Sequence, residues 1–157
     1  MKSLIVCVSV SHGNTRRVAD AMADVLQAQV AEPEEVDEKS LEATDLLGIG
    51  SGVYWMRYHP RISAFVRRLP RAAHKAAFVY STSGSSELVM SPFTRLERPL
   101  EAKGYDVLGS FSCRGWDTWL PLRLIGGLNK GRPNDADLAR ARSFASEIRD
   151  RVAGDDL

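Results

Sequence analysis

Leu4-Ile5-Val6-Cys7-Val8-Ser9-Val10-Ser11-His12-Gly13-Asn14-Thr15 is the stretch that decides the fold of this chain. Its five unbroken apolar residues read as a strand buried on both faces, the kind found in parallel sheets covered by helices. Behind them stand hydroxyls, a glycine and an asparagine, and apolar positions then recur at helical spacing through Val18, Ala21, Met22, Val25 and Leu26. Asn14 or Thr15 can cap that helix. A strand that turns into a helix in this way aims backbone N–H groups and the positive end of the helix dipole at one point, where an anion belongs.

Strand and helix signals alternate along the rest of the chain. A weak strand is expected near 30–37 and a helical turn near Ser40; 45–51 reads as the next buried strand. Pro60 opens a helix with Ile62, Phe65, Val66 and Leu69 on one face, and Pro70 closes it. Another buried strand covers 75–82, and a helix over 91–103 turns Phe93, Leu96 and Leu100 inward before stopping at Gly104. The last strand is 105–113, and Asn134 caps a final helix through Leu138, Ala141, Phe144, Ala145, Ile148 and Val152. The tail Gly154-Asp155-Asp156-Leu157 reads as frayed. Five strands joined by crossover helices give an α/β fold: a three-layer α/β/α sandwich on a five-stranded parallel sheet of order 2-1-3-4-5. Ordinary apolar and charged fractions over 157 residues suit a single domain spanning 1–157.

In such a sheet, ligands bind beyond the carboxyl ends of the strands where the strand order reverses. The unusual loops of the chain all fall at that edge: Ser9–Thr15, Gly50–His59, Ser81–Glu87 and Cys113–Pro133. The first carries hydroxyls and amides and no acid, so it suits a phosphate and is unsuited to holding magnesium, as a receiver domain would. It has neither the Gly-Lys-Ser/Thr ending of a P-loop nor Gly-x-Gly-x-x-Gly spacing. Gly52, Val53, Tyr54 and Trp55 set aromatics beside a glycine that permits close approach of a flat ring. Ser81, Thr82, Ser83 and Gly84 offer small side chains and backbone amides to the polar edge of a heterocycle. A planar aromatic ligand bearing a phosphate satisfies all three loops.

These segments resemble the flavodoxin-like proteins that bind FMN, especially short bacterial and archaeal single-domain members with a Ser-x-x-His-Gly-Asn-Thr first loop. Gly-Ser-Gly-Val-Tyr-Trp at 50–55, Phe-Ser-Cys-Arg-Gly-Trp-Asp-Thr at 111–118 and Gly-Gly-Leu-Asn-Lys-Gly-Arg-Pro-Asn at 126–134 carry the likeness over nearly the whole chain. The resemblance implies that Ser9, Ser11, His12, Gly13, Asn14 and Thr15 hold the FMN phosphate. It further implies that Gly52, Val53, Tyr54 and Trp55 line one side of the isoalloxazine and Ser81–Gly84 its pyrimidine edge. Arg114, Gly115 and Trp116 complete the candidate cofactor site, with Trp116 or Trp119 covering a ring face.

Several features depart from ordinary flavodoxins. Val10 and His12 stand where their first loop usually has hydroxyls, and the third loop brings no aromatic to the outer ring face. Ordinary flavodoxins are strongly acidic near the flavin, whereas Arg57, Arg61 and Arg114 are expected around it here, which points to an acidic partner or an anionic substrate. Charge is segregated along the chain: residues 18–45 hold nine acids and one base, residues 46–86 six bases and no acid. The long apolar segment 114–133 is expected to pack over the flavin site, its alternatives being a dimer contact and a hydrophobic or membrane-surface partner.

Other residues suggest less. Cys7 and Cys113 have no metal-ligand spacing and read as inert, partly buried thiols, with Cys113 near a site edge. His59 and His74 read as surface groups and Tyr80 as core. No metal cluster, catalytic triad or nucleic-acid surface emerges. No apolar run approaches the ~20 residues of a membrane span, and a cytoplasmic location is expected. The expected function is redox: FMN passing electrons from a reductase to a partner protein or small oxidant. The alternatives are an FMN-dependent reductase or dehydrogenase acting on a quinone or other small oxidant, and a flavin-free module binding another phosphate ligand or a protein.

Overall fold

The computed structural model describes residues 1–10, 12–55, 57–84, 96–116, 122–127 and 129–155. Its strands are β1 (Ser3–Val8), β2 (Gln29–Ala31), β3 (Leu46–Tyr54), β4 (Arg57–Tyr58), β5 (Lys75–Ser83) and β6 (Tyr105–Arg114). Its α-helices are α1 (Asn14–Leu26), α2 (Glu38–Glu42), α3 (Pro60–Arg68), α4 (Glu97–Glu101) and α5 (Asp135–Asp155), with short 3-10 turns at Pro33–Glu35 and Leu122–Ile125. Five strands run parallel in the order β2-β1-β3-β5-β6, and β4 folds back antiparallel on β3. Counted without β4, this is the expected order 2-1-3-4-5, and it reverses direction at β1, between β2 and β3.

The period of two along each strand sorts the apolar residues onto two faces. On one face Leu4, Val6, Leu47, Ile49 and Val79 pack against Ile62, Phe65 and Val66 of α3 and Leu100 of α4. On the other, Ile5, Cys7, Phe78, Tyr80 and Phe111 meet Val18 and Met22 of α1 and Ala141, Ala145 and Ile148 of α5. Full burial of a side chain such as Ile62 or Phe65 stabilises the fold by about 1.5–3 kcal/mol.

The second face depends on two glycines of β3. Gly48 lies in register with Phe78, and Gly50 with Tyr80 on one side and Cys7 on the other. A Cβ on Gly48 would stand 2.4 Å from the Phe78 ring, and one on Gly50 2.4 Å from the Tyr80 ring. Both aromatic rings therefore lie flat across the β3 backbone. The Tyr80 hydroxyl reaches the Cys7 thiol beneath α1, and burial pushes the thiol up to about 11 and raises the phenol well above its ordinary value.

Several boundaries differ from the sequence expectation. The weak strand at 30–37 shrinks to Gln29–Ala31 and a 3-10 turn, because Pro33 has no N–H with which to extend a ladder. The stretch expected as a loop at 50–59 is mostly strand: β3 runs on to Tyr54, and Val53 and Tyr54 pair with Tyr58 and Arg57. Trp55, with φ of 49°, starts the turn between them, and Met56 lies outside the described residues. Of the helix expected over 91–103, only α4 is described; Leu96 and Leu100 are buried as expected, and Phe93 lies outside the described residues. The C-terminal helix continues to Asp155, past the start of the expected frayed tail.

Candidate functional site

At the carboxyl edge of the sheet, beside the strand-order reversal, a cleft is lined by Asn14, Thr15, Gly52, Val53, Tyr54, Thr82, Ser83, Gly84, Gly115 and Trp116. All ten are sequence candidates. They come from the start of α1 and the ends of the parallel strands β3, β5 and β6, and meet because the strands end in register: Ser51 pairs with Ser81 and Gly52 with Thr82, while Thr82 and Ser83 pair with Cys113 and Arg114.

One wall is the start of α1. Gly13 is its N-cap with φ of 66°, and it has no side chain to close the first turn. That turn also lacks an acidic residue, so nothing there offsets the positive end of the dipole. Ser9 Oγ accepts from the Arg16 N–H at 3.2 Å, which ties the loop to the third residue of the helix. Thr15 Oγ1 lies 2.8 Å from Thr82 Oγ1, so two hydroxyls bridge the first and third candidate loops in a buried pair.

The wall formed by the segment after β6 is bonded to this loop. Asn14 Nδ2 donates to the Trp116 carbonyl at 2.9 Å, and a Cβ on Gly115 would stand 2.7 Å from the same Nδ2. The His12 ring stacks on Trp116 with centroids 3.9 Å apart and planes 22° from parallel. Trp116 is held further by its N–H on the Arg132 carbonyl at 2.9 Å and its Nε1 on the Gly126 carbonyl at 3.1 Å. Asn129 Nδ2 donates to the Gly84 carbonyl at 2.8 Å and so pins the third loop. Behind them, Arg132 Nε and Nη2 meet the buried Asp137 carboxylate at 2.6 and 2.8 Å. Asp137 Oδ2 also accepts from the Asn134 N–H, and Asn134 Oδ1 from the Asp137 N–H, both at 2.9 Å, making the expected cap of α5. Asn129, Arg132 and Asp137 are absent from the sequence candidates. Only the reciprocal Asn-x-x-Asp cap could have drawn attention to this brace.

Some candidates fall outside the cleft. Ser81 is fully buried within β5, its hydroxyl 3.3 Å from Ser112 Oγ and bonded to Tyr58, because it faces the α3 side of the sheet while its neighbour Thr82 faces Thr15 of α1. Arg114 is exposed at the end of β6, and Trp55 is 77% exposed beside the cleft. Ser11 and Trp119 lie outside the described residues. Arg61 does not join the mouth. Its guanidinium lies against Glu32 and Glu34, with Nε 2.9 Å from Glu34 Oε1, and this pairing holds the Glu34 carboxyl down at about 2. Cys113 is buried and not at an accessible edge. His59 Nδ1 accepts from the Arg61 N–H at 3.2 Å at the start of α3, and partial burial, followed by the Arg61 charge, lowers its pKa.

The donor set fits a phosphorylated planar group. The cleft ends at an open helix terminus, where Thr15, Thr82 and Asn14 stand as hydrogen-bonding side chains, while the Tyr54 ring lies over Gly52 and the Asn14 amide over Gly115. Among the described residues no carboxylate lines it. Among the described residues no cluster of His, Cys, Asp and Glu could hold a metal ion, and no helix is long and apolar enough to cross a membrane.

Comparison with known proteins agrees with this geometry. An uncharacterised protein of Methanocaldococcus jannaschii is 37% identical over 148 residues, covering 94% of this chain and 98% of that one. The fold is shared with Flavodoxin 2 from Bacillus cereus, at 20% identity and a TM-score of 0.74 over 96% of this chain and 99% of that one. A flavodoxin from the domain Archaea superposes with a TM-score of 0.70 at 18% identity, over 98% and 99% of the two chains. The sequence profile of the Flavodoxin domain matches residues 5–89, and this chain belongs to that family of flavin-binding redox proteins.

Proposed function

We propose that the chain binds FMN non-covalently and carries electrons between a reductase and a partner. The observation that carries this reading is the uncapped, acid-free start of α1 opening into a cleft walled by residues 52–54, 82–84 and 115–116. The phosphate would sit against the first turn of α1, among Gly13, Asn14 and Thr15, and the flat ring between the glycine-bearing wall at Gly52–Tyr54 and the β5 end at Thr82–Gly84. When bound, the flavin supplies one- and two-electron redox chemistry. The chain's part is placement: first-turn amides and hydroxyls would orient the phosphate, Tyr54, seated over Gly52, would flank the ring, and Trp116 with His12 would cover the phosphate end. Full-length likeness to flavodoxins supports the flavin-binding reading.

The test is isolation of the protein with its cofactor. A yellow protein is expected, whose released chromophore has the mass of FMN and whose bound colour bleaches with dithionite but only slowly with reduced nicotinamide. A colourless protein that takes up no added FMN would overturn the flavin reading. Rapid bleaching by the nicotinamide would replace the carrier with a reductase.

A further inference from the structure

From the cations that edge this cleft, we infer that its mouth is the docking surface for a protein with an acidic rim. The inference rests on the flavin reading for its purpose, though not for its geometry. Arg57 pairs in register with Tyr54, and Arg114 with Ser83, so each projects from a backbone position beside a lining residue. Lys130 Nζ stands 5.9 Å from the Trp116 ring centroid. All three are exposed, and neither Arg57 nor Arg114 makes an ion pair among the described residues. Three other arginines are matched within the chain: Arg16 to Asp20, Arg61 to Glu32 and Glu34, Arg132 to Asp137.

Sequence charge agrees. The four loops Ser9–Thr15, Gly50–His59, Ser81–Glu87 and Cys113–Pro133 together carry five Lys or Arg (Arg57, Arg114, Arg123, Lys130, Arg132) and two acids (Glu87, Asp117). Exposed apolar side chains neighbour these cations in the chain: Trp55 is 77% exposed two residues before Arg57, and Leu124 and Ile125 are 82% and 78% exposed beside Gly126, which receives the Trp116 indole. Apolar side chains bordered by charged ones are the anatomy of a transient protein interface, and unpaired rim charges act chiefly on the rate of encounter. A basic rim selects an acidic partner and repels a basic one.

The test uses two haem proteins of opposite charge, an acidic b-type cytochrome and a basic c-type cytochrome, each titrated into isotopically labelled chain and followed by amide chemical shifts. The acidic cytochrome should perturb residues 54–57, 114–116 and 124–130 in fast exchange. Raising the salt from about 20 mM to about 300 mM should weaken the effect roughly tenfold, because the Debye length shrinks severalfold. The combined variant Arg57→Glu, Arg114→Glu and Lys130→Glu should lose the acidic cytochrome and gain the basic one. Equal perturbation by both cytochromes, no change in the variant, or shifts confined to another face would overturn the inference. Shifts produced at these residues by citrate and not by the acidic cytochrome would also overturn it, in favour of a small anionic ligand. The readout needs no bound flavin, so failure of the docking surface stays separate from failure of the cofactor site.

Discussion

Asn14 links the two walls of the candidate site, since its amide holds the Trp116 carbonyl while its backbone opens α1. Asn14→Asp puts a negative charge against the expected phosphate and removes that donor. We expect FMN affinity, followed by fluorescence quenching, to fall roughly tenfold or more, the scale of one unfavourable close charge pair. Gly115→Ala tests the same contact from the opposite side: the new methyl displaces Asn14 Nδ2, and both FMN affinity and Trp116 emission should change together. An altered affinity with unchanged emission would separate Asn14 from Trp116. At this scale the sequence was most informative where a residue type has few other uses. Ser11-His12-Gly13-Asn14-Thr15 signalled a helix start facing a ligand, whereas Gly52, read as room for a flat ring, makes room for the Tyr54 side chain. Ser81 looked equivalent to Thr82, but neighbouring residues of β5 face opposite sides of the sheet, so Thr82 meets Thr15 of α1 while Ser81 turns to Tyr58. The stacking of His12 on Trp116 joins residues about a hundred positions apart, and no local pattern encodes it.

Among the elements, β3 sets the spacing of the second core face. Gly50→Val should destabilise the fold by about 1–3 kcal/mol in chemical denaturation, because the added side chain meets the buried Tyr80 ring, which has no room to retreat. The brace from α5 makes a different prediction. Asp137→Ala removes a buried carboxylate that Arg132 and the Asn134 N–H both use, and a loss of about 1–3 kcal/mol is expected. Since the Arg132 carbonyl receives the Trp116 N–H, FMN affinity should fall as well, although Asp137 does not line the cleft. Unchanged affinity in a destabilised Asp137→Ala would show that the brace stops at Arg132. Helices and buried strands were legible because their apolar periods are strong. The β3–β4 hairpin was not, because Gly50–Gly52 broke the apolar run and the aromatics that followed looked like a ligand loop, whereas Val53 and Tyr54 continue the strand by pairing with Tyr58 and Arg57.

Over the whole molecule, charge that is segregated in sequence is partly rejoined in space. The acidic turn after β2 lies against the start of α3, where Arg61 takes Glu32 and Glu34 and Arg68 reaches the Pro33 carbonyl. Glu34 has an ordinary carboxyl value of 4.5 and is held at about 2 in the fold, so its contribution to stability is complete above pH 4.5 and is lost as the pH falls towards 2. Glu34→Gln should therefore lower the melting temperature at neutral pH and flatten its decline between pH 4.5 and 2; an unchanged acid limb would mean that solvent screens the pair. With Arg61 matched, the basic character of the cleft mouth falls to Arg57, Arg114 and Lys130, a distribution that composition, with a net charge of +1, conceals. The central claim is that the open end of α1 is a phosphate site within a flavin cleft. Parallel titration of the cofactor-free protein with FMN and with riboflavin, which lacks the phosphate, tests it most directly. FMN should bind at least roughly a hundredfold more tightly, the worth of one or two charge-assisted hydrogen bonds from the first turn; equal affinities, or no binding of either, would contradict it.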